Sequence, residues 1–162
     1  MCRCFGVVAA LVAEPQGRAP LRPGVALKWE MRTVAYKLKL AEKDVFGKAK
    51  FVNAKGNTEC VEFVRQATNA PQTVSWKKGV QVIEAKPGSI PRGTAIATFD
   101  KNGRYPTDSH GKHAAIYLSH DASGIRVLDQ WNKQGEVLER VIRVNQPEYP
   151  RSNAAIHFYV IE

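Results

Sequence analysis

No apolar run in the chain approaches the ~18 residues that a bilayer-spanning helix requires; the longest, Phe5 to Ala13, is about half that length. Stable insertion as a membrane-spanning helix is therefore excluded. Cysteine is scarce: of three, Cys2 and Cys4 sit at the extreme N-terminus and Cys60 stands far from both. A disulfide framework is excluded by that distribution. Internal repeats and low-complexity tracts are lacking. Acidic residues are few beside basic ones, 15 against 24, for a net charge of +9. Such a surface attracts anionic polymers: nucleic acid, lipid headgroups or cell-wall carboxylates. The basic residues are scattered, however, without the aromatic interleaving or zinc-finger spacing of nucleic-acid readers, so no nucleic-acid partner is expected.

What is present suits one globular domain: 162 residues, 44% hydrophobic and 24% charged, enough for a single core. Residues 1–32 differ from the rest. They are rich in Gly, Ala, Pro and Arg, with Pro15, Pro20 and Pro23 interrupting any long element, and are read as a non-core extension. Arg3 followed by Phe5 to Ala13 has the outline of a marginal secretory signal; a translation start at Met31 is the competing reading. No Cys follows the apolar stretch, so a lipoprotein anchor is unsupported. Residues 33–162 are expected to form the functional domain.

Within that domain Leu40 to Phe46 reads as a short amphipathic helix stopped by Gly47. From Asn57 to Thr68, Cys60, Val64 and Ala67 fall on one helical stripe with Phe63 beside it. Asn57 or Thr58 is the expected N-cap, and Asn69 with Pro71 the stop. After a loop at Trp76 to Gly79 and a turn at Pro87-Gly88, five strands are expected: Thr94 to Phe99, His113 to Ser119, Ile125 to Trp131, Val137 to Val144 and Ala155 to Ile161. Short connections at 121–124 and 133–135 make antiparallel neighbours. Helices first and sheet afterwards give an α+β fold. The long polar connection from Asp100 to Lys112 marks a loop beside a functional site.

Cys60, in the first turn of its helix, meets unpaired amides and a dipole that favour a thiolate. The bland alternative is a small buried hydrophobe. Of four histidines, His113 begins an apolar strand, where rigid backbone can hold the ring as a general base requires; His110 and His120 read as loop residues and His157 as a residue of the last strand. A Cys/His pair needs a third polar group to orient the imidazole. Alternation puts Ile125, Val127, Asp129 and Trp131 on one face and Arg126, Leu128 and Gln130 on the other. Asp129 is preferred, because a carboxylate stabilises imidazolium better, with Gln130 the alternative. A zinc site from Asp108, His110 and His113 leaves Cys60 without a role and lies in a polar loop; no metal and no cofactor are expected.

The runs Gly56 to Arg65, Gly93-Thr94-Ala95-Ile96-Ala97, Gly111-Lys112-His113-Ala114-Ala115-Ile116-Tyr117 and Val127-Leu128-Asp129-Gln130-Trp131 together resemble the papain-like peptidoglycan amidases of the CHAP and NlpC types. More narrowly, the chain from about Tyr36 onward is similar to the small amidase effectors that bacteria inject by type VI secretion. The resemblance implies a papain-like fold, N-terminal helices packed on an antiparallel sheet of about five strands. It also implies amide hydrolysis, with Cys60 as nucleophile, His113 as acid and base, and Asp129 orienting His113. Glu59 stands where CHAP enzymes often carry Gln, and no residue matches the oxyanion tyrosine of NlpC-type enzymes. The Cys60 backbone amide is then the expected oxyanion donor, with the Asn57 side chain second; Tyr105 and Trp131 are candidate walls of the substrate groove. The implied substrate is the stem peptide or cross-link of peptidoglycan, and the implied partner a cognate immunity protein. Such an effector is made in the bacterial cytoplasm, acts in a periplasm, and needs to be no more than a monomer. An exported housekeeping hydrolase and a non-catalytic cell-wall-binding module are the competing readings.

Overall fold

The computed structural model describes residues 35–48 and 51–162; the expected extension at 1–32 lies outside the described residues. The elements in chain order are α1 (Glu42–Val45), α2 (Cys60–Thr68), β1 (Lys78–Gln81), β2 (Ala95–Thr98), β3 (Ala114–Asp121), β4 (Gly124–Asp129), β5 (Leu138–Arg143) and β6 (Phe158–Ile161). The strands form one sheet of order β1-β6-β2-β3-β4-β5, every neighbouring pair antiparallel. The α+β expectation is met, with six strands rather than about five. The extra strand, β1, begins inside the loop expected at Trp76 to Gly79; its Lys-Gly-Val-Gln sequence lacks an apolar face, and it lies at the sheet edge, half exposed, held by pairing with β6.

Both faces of the sheet are covered, which explains why β3 carries five buried residues in succession, Ala114 to Leu118, instead of alternating. Ala114, Ile116 and Leu118 pack with Phe63, Val64 and Ala67 of α2 and with Phe51. Ala115 and Tyr117 join Ile125, Val127, Ile142 and Phe158 on the opposite face, beneath Val82 and Ile90. His120 fastens that second layer: its ring meets the Tyr117 hydroxyl at 2.7 Å and the Ala85 carbonyl at 2.8 Å.

Helix α2 is amphipathic and short. Phe63, Val64 and Ala67 enter the core, while Glu62 pairs with Arg65 at 2.8 Å on the outer side. Asn69, left-handed at φ 60°, ends it as expected. Its start differs from expectation. Glu59 is the N-cap residue and gives no side-chain cap; Asn57 is held one step earlier, its N–H donating to the Asn53 Oδ1 at 3.0 Å in a turn where Gly56 has φ 79°. The Thr58 hydroxyl donates instead to the Trp131 carbonyl at 3.4 Å. Helix α1 is likewise trimmed to one turn, with Gly47 at φ 64° just beyond.

The β3–β4 hairpin turns through Ala122 and Ser123, closing on the pair Asp121 and Gly124. A Cβ on Gly124 would lie 2.3 Å from the Ile142 carbonyl oxygen and 3.0 Å from the Arg143 Cα. Rigid backbone on β5 cannot yield cheaply. Gly124→Ala should therefore destabilise the protein by roughly 1–3 kcal/mol, read as a lower urea midpoint at unchanged slope; an unchanged midpoint would show that the hairpin is not packed as described.

Candidate active site

Cys60 is the first residue of α2, so its N–H and that of Val61 have no intrahelical acceptor, and the positive end of the helix lies under its sulfur. His113 immediately precedes β3 and is fixed by backbone on both sides. Its N–H donates to the Thr98 hydroxyl at 3.0 Å, and its carbonyl accepts the Thr98 N–H, also at 3.0 Å. Asp129 ends β4. Since β3 and β4 pair Ile116 with Leu128, His113 and Asp129 emerge on the same face, diagonally across the ladder.

Asp129 Oδ2 lies 2.7 Å from His113 Nε2, with the carboxylate wholly buried and the ring nearly so. With Nε2 committed to Asp129, Nδ1 is the nitrogen left to hydrogen-bond the Cys60 thiol. Burial of the ring opposes its charged form, but the bonds to Asp129 and Cys60 outweigh this and raise His113 to about 9. Burial likewise pushes the Cys60 thiol up; the His113 hydrogen bond and charge, with the Ala114 amide and the Tyr105 hydroxyl, bring it below its ordinary value. The two shifts are coupled: each group favours the charged form of the other.

Tyr105 is buried with its hydroxyl 3.8 Å from the Cys60 sulfur, and its ring meets Trp76 edge-on at 5.2 Å. Burial first, and then the charge of Cys60, raise its pKa far above the usual phenol range, so the hydroxyl keeps its proton and can donate. Trp131, 37% exposed, stands edge-on to His113 with centroids 6.2 Å apart. Both aromatics line a cleft of about 900 Å³ that also includes Cys60, Glu59, Val74 and Lys112.

The structure brings Cys60, His113, Asp129, Tyr105 and Trp131 together. Two other expected residues lie elsewhere. Asn57 is exposed in its turn and does not line the cleft. Gln130 points to the opposite sheet face, where its Nε2 donates to the Phe51 and Glu59 carbonyls at 2.7 and 3.1 Å. It braces the approach to α2. Among the residues weighed for zinc, Asp108 accepts from Arg151 at 2.7 Å while His113 is turned to Asp129; the described residues hold no group of three or more potential metal ligands. His157 stacks on Tyr149 at 6.1 Å, away from Cys60.

One contact was not foreseen. Arg140 Nε donates to the same Asp129 Oδ2 at 2.6 Å. A signal existed: Arg140 lies between Leu138 and Ile142, on the inward parity of β5, where a charged residue stands out.

Comparison with known proteins bears on this geometry. The sequence model of the domesticated amidase effector 2 family matches residues 30–161. The chain belongs to that family. It is 44% identical over 73 residues to the type VI secretion amidase effector 2 protein of Salmonella typhi, covering 45% of this chain and 53% of that one, so the match spans about half of the relative's length. It is 39% identical over 107 residues to domesticated amidase effector 2 of Ixodes scapularis, covering 64% and 70%. Among solved structures, a type 6 secretion amidase effector 2 superposes with a TM-score of 0.65 at 31% identity, over 77% of this chain and 93% of the other. The family shares this α+β architecture.

The coupling of Cys60 and His113 has a direct signature. Because the Cys60 pKa is lowered, the pH profile of its alkylation by iodoacetamide should have its midpoint below that of an ordinary thiol near 8.5. His113→Ala removes the largest of the contributions that oppose burial, so the midpoint should move to higher pH. Matching profiles for the two proteins would remove the pair.

Proposed function

We propose that this chain is a cysteine-dependent amidase of the bacterial cell wall, hydrolysing an amide bond in the stem peptide or cross-link of peptidoglycan, in the role of an antibacterial type VI secretion effector. The observation that carries this reading is the buried His113–Asp129 pair coupled to Cys60, which lines a cleft, in a member of an amidase effector family. Residues 33–162 form the amidase domain in this reading, and 1–32 an extension to it.

The chemistry follows from the geometry. Cys60 Sγ attacks the carbonyl carbon, and the oxygen takes up negative charge beside the free Cys60 N–H and the protonated Tyr105 hydroxyl. His113 passes its Nδ1 proton to the amine as the carbon–nitrogen bond breaks, leaving a thioester on Cys60. The neutral ring then takes one proton from water, whose oxygen attacks the thioester; collapse restores thiolate and imidazolium and releases the carboxylic acid, which gives its remaining proton to solvent. Asp129 keeps the ring in one orientation throughout and favours its charged state. Trp131 and Lys112 supply an apolar wall and a cation to the cleft, suited to a peptide bearing carboxylates.

The relatives favour a second setting for the same chemistry. The match to the Ixodes scapularis protein, named a domesticated amidase effector, covers more of this chain than the match to the Salmonella typhi protein. The catalytic domain, rather than its route of delivery, is then the common element.

Digestion of purified sacculi tests the activity. The chain should release new muropeptides whose masses name the bond cut, and Cys60→Ala should lose activity by at least about a thousandfold. Equal release by Cys60→Ala, or none from folded wild type, would refute the reading. For the effector setting, an immunity protein that occludes the cleft is the expected partner: the product of an adjacent gene should co-purify with the chain and protect susceptible cells. Failure of every neighbouring gene to protect would leave the amidase and remove the effector.

A further inference from the structure

The Asp129 carboxylate is unevenly used. It is completely buried, yet Oδ1 has no hydrogen-bond partner among the described residues, while Oδ2 serves both His113 Nε2 at 2.7 Å and Arg140 Nε at 2.6 Å. An unused buried lone pair beside a doubly used one costs free energy, so the shared oxygen is a constraint of the site rather than slack. Arg140 reaches it from β5, where it sits opposite Val127 and diagonal to Asp129. The rest of the guanidinium is held as well: Nη2 donates to the Ser152 carbonyl at 3.3 Å, and the group lies over the Trp131 ring, 5.4 Å from its centre. Arg140 therefore touches both the group that orients His113 and an aromatic wall of the cleft.

We propose that Arg140 is a positioning residue that divides the Asp129 carboxylate with His113, limiting how tightly the imidazolium is held, and at the same time fixes Trp131 at the mouth of the cleft. This rests on the reading of Cys60 and His113 as the reacting pair. The charge balance follows from the neighbours of the ring. His113 faces Cys60 from α2 and Asp129 from β4, with Arg140 of β5 behind the carboxylate; Phe158 of β6 and Trp131 present only uncharged rings. An unshared Asp129 would be the sole counter-charge on that side. The ring would hold its proton to higher pH, and a proton held too tightly is released late to the leaving amine.

The test needs no substrate. In protein labelled at histidine, NMR should follow His113 titrating near 9 in the wild type. Arg140→Gln, with Arg140→Met as a second neutral variant should the first fold poorly, is expected to raise that midpoint by about one pH unit. Arg140→Lys keeps the charge and should hold the midpoint near the wild-type value. A midpoint that the neutral variants leave in place or move to lower pH overturns the proposal, as does a rise in Arg140→Lys equal to theirs. Because the readout is a titration, its failure is distinct from failure of the amidase reading, which the sacculus digestion decides. Tryptophan fluorescence supplies the second readout: Trp131 should become more accessible to acrylamide in Arg140→Gln, and unchanged quenching would remove that half of the proposal.

Discussion

The bond between Asp129 and His113 is the constraint around which this protein is arranged. A fully buried carboxylate is costly unless a cation meets it at hydrogen-bond distance, and here two do, His113 and Arg140, on one oxygen. That requirement fixes the ring, and the ring in turn lowers the Cys60 thiol's pKa against a burial that would otherwise raise it. Loss of the carboxylate would leave the buried His113 ring without its counter-charge and the partly buried Arg140 without its closest partner. Chemistry and folding thus draw on the same contact.

The halves of the site come from parts of the chain far apart in sequence. Cys60 is delivered by a nine-residue helix, and His113 and Asp129 by adjacent strands. What brings them together is the core between α2 and β3, where Phe63, Val64 and Ala67 meet Ala114, Ile116 and Leu118. Small residues on β3 let the helix approach closely, and Gln130 ties the carbonyls of Phe51 and Glu59 to the end of β4 just before the helix begins. Cys60 and Asp129 therefore stand on regular elements, and His113 is the residue that leads into one. The cleft walls, Tyr105, Lys112 and Trp131, come instead from connections, where change in sequence can reshape the cleft without moving Cys60 or His113.

Much of this could be read from the chain before its fold. The helical stripe at Cys60, the apolar run after His113 and the alternation through Asp129 were each local, and the structure shows the same elements and the same face for His113 and Asp129. Other features depended on partners distant in sequence. Strand β1 carries no periodic signal and exists because β6 offers it a ladder. The cap of α2 falls on Glu59 because Thr58 is drawn away to the Trp131 carbonyl, a contact spanning 73 residues. Asn57 is likewise taken up by its own turn. Arg140 was legible only as a charge at an inward position, and its meaning required the register of β4 with β5.

In the proposed mechanism amide cleavage passes through an acyl group on Cys60. Hydrolysis of peptidoglycan fragments in the presence of hydroxylamine tests it most directly, because a thioester partitions between water and the added nucleophile. Hydroxamate-ended peptides are expected beside the carboxylate products, in a ratio that rises with hydroxylamine concentration. Carboxylate products alone, at every hydroxylamine concentration and with undiminished turnover, would contradict it.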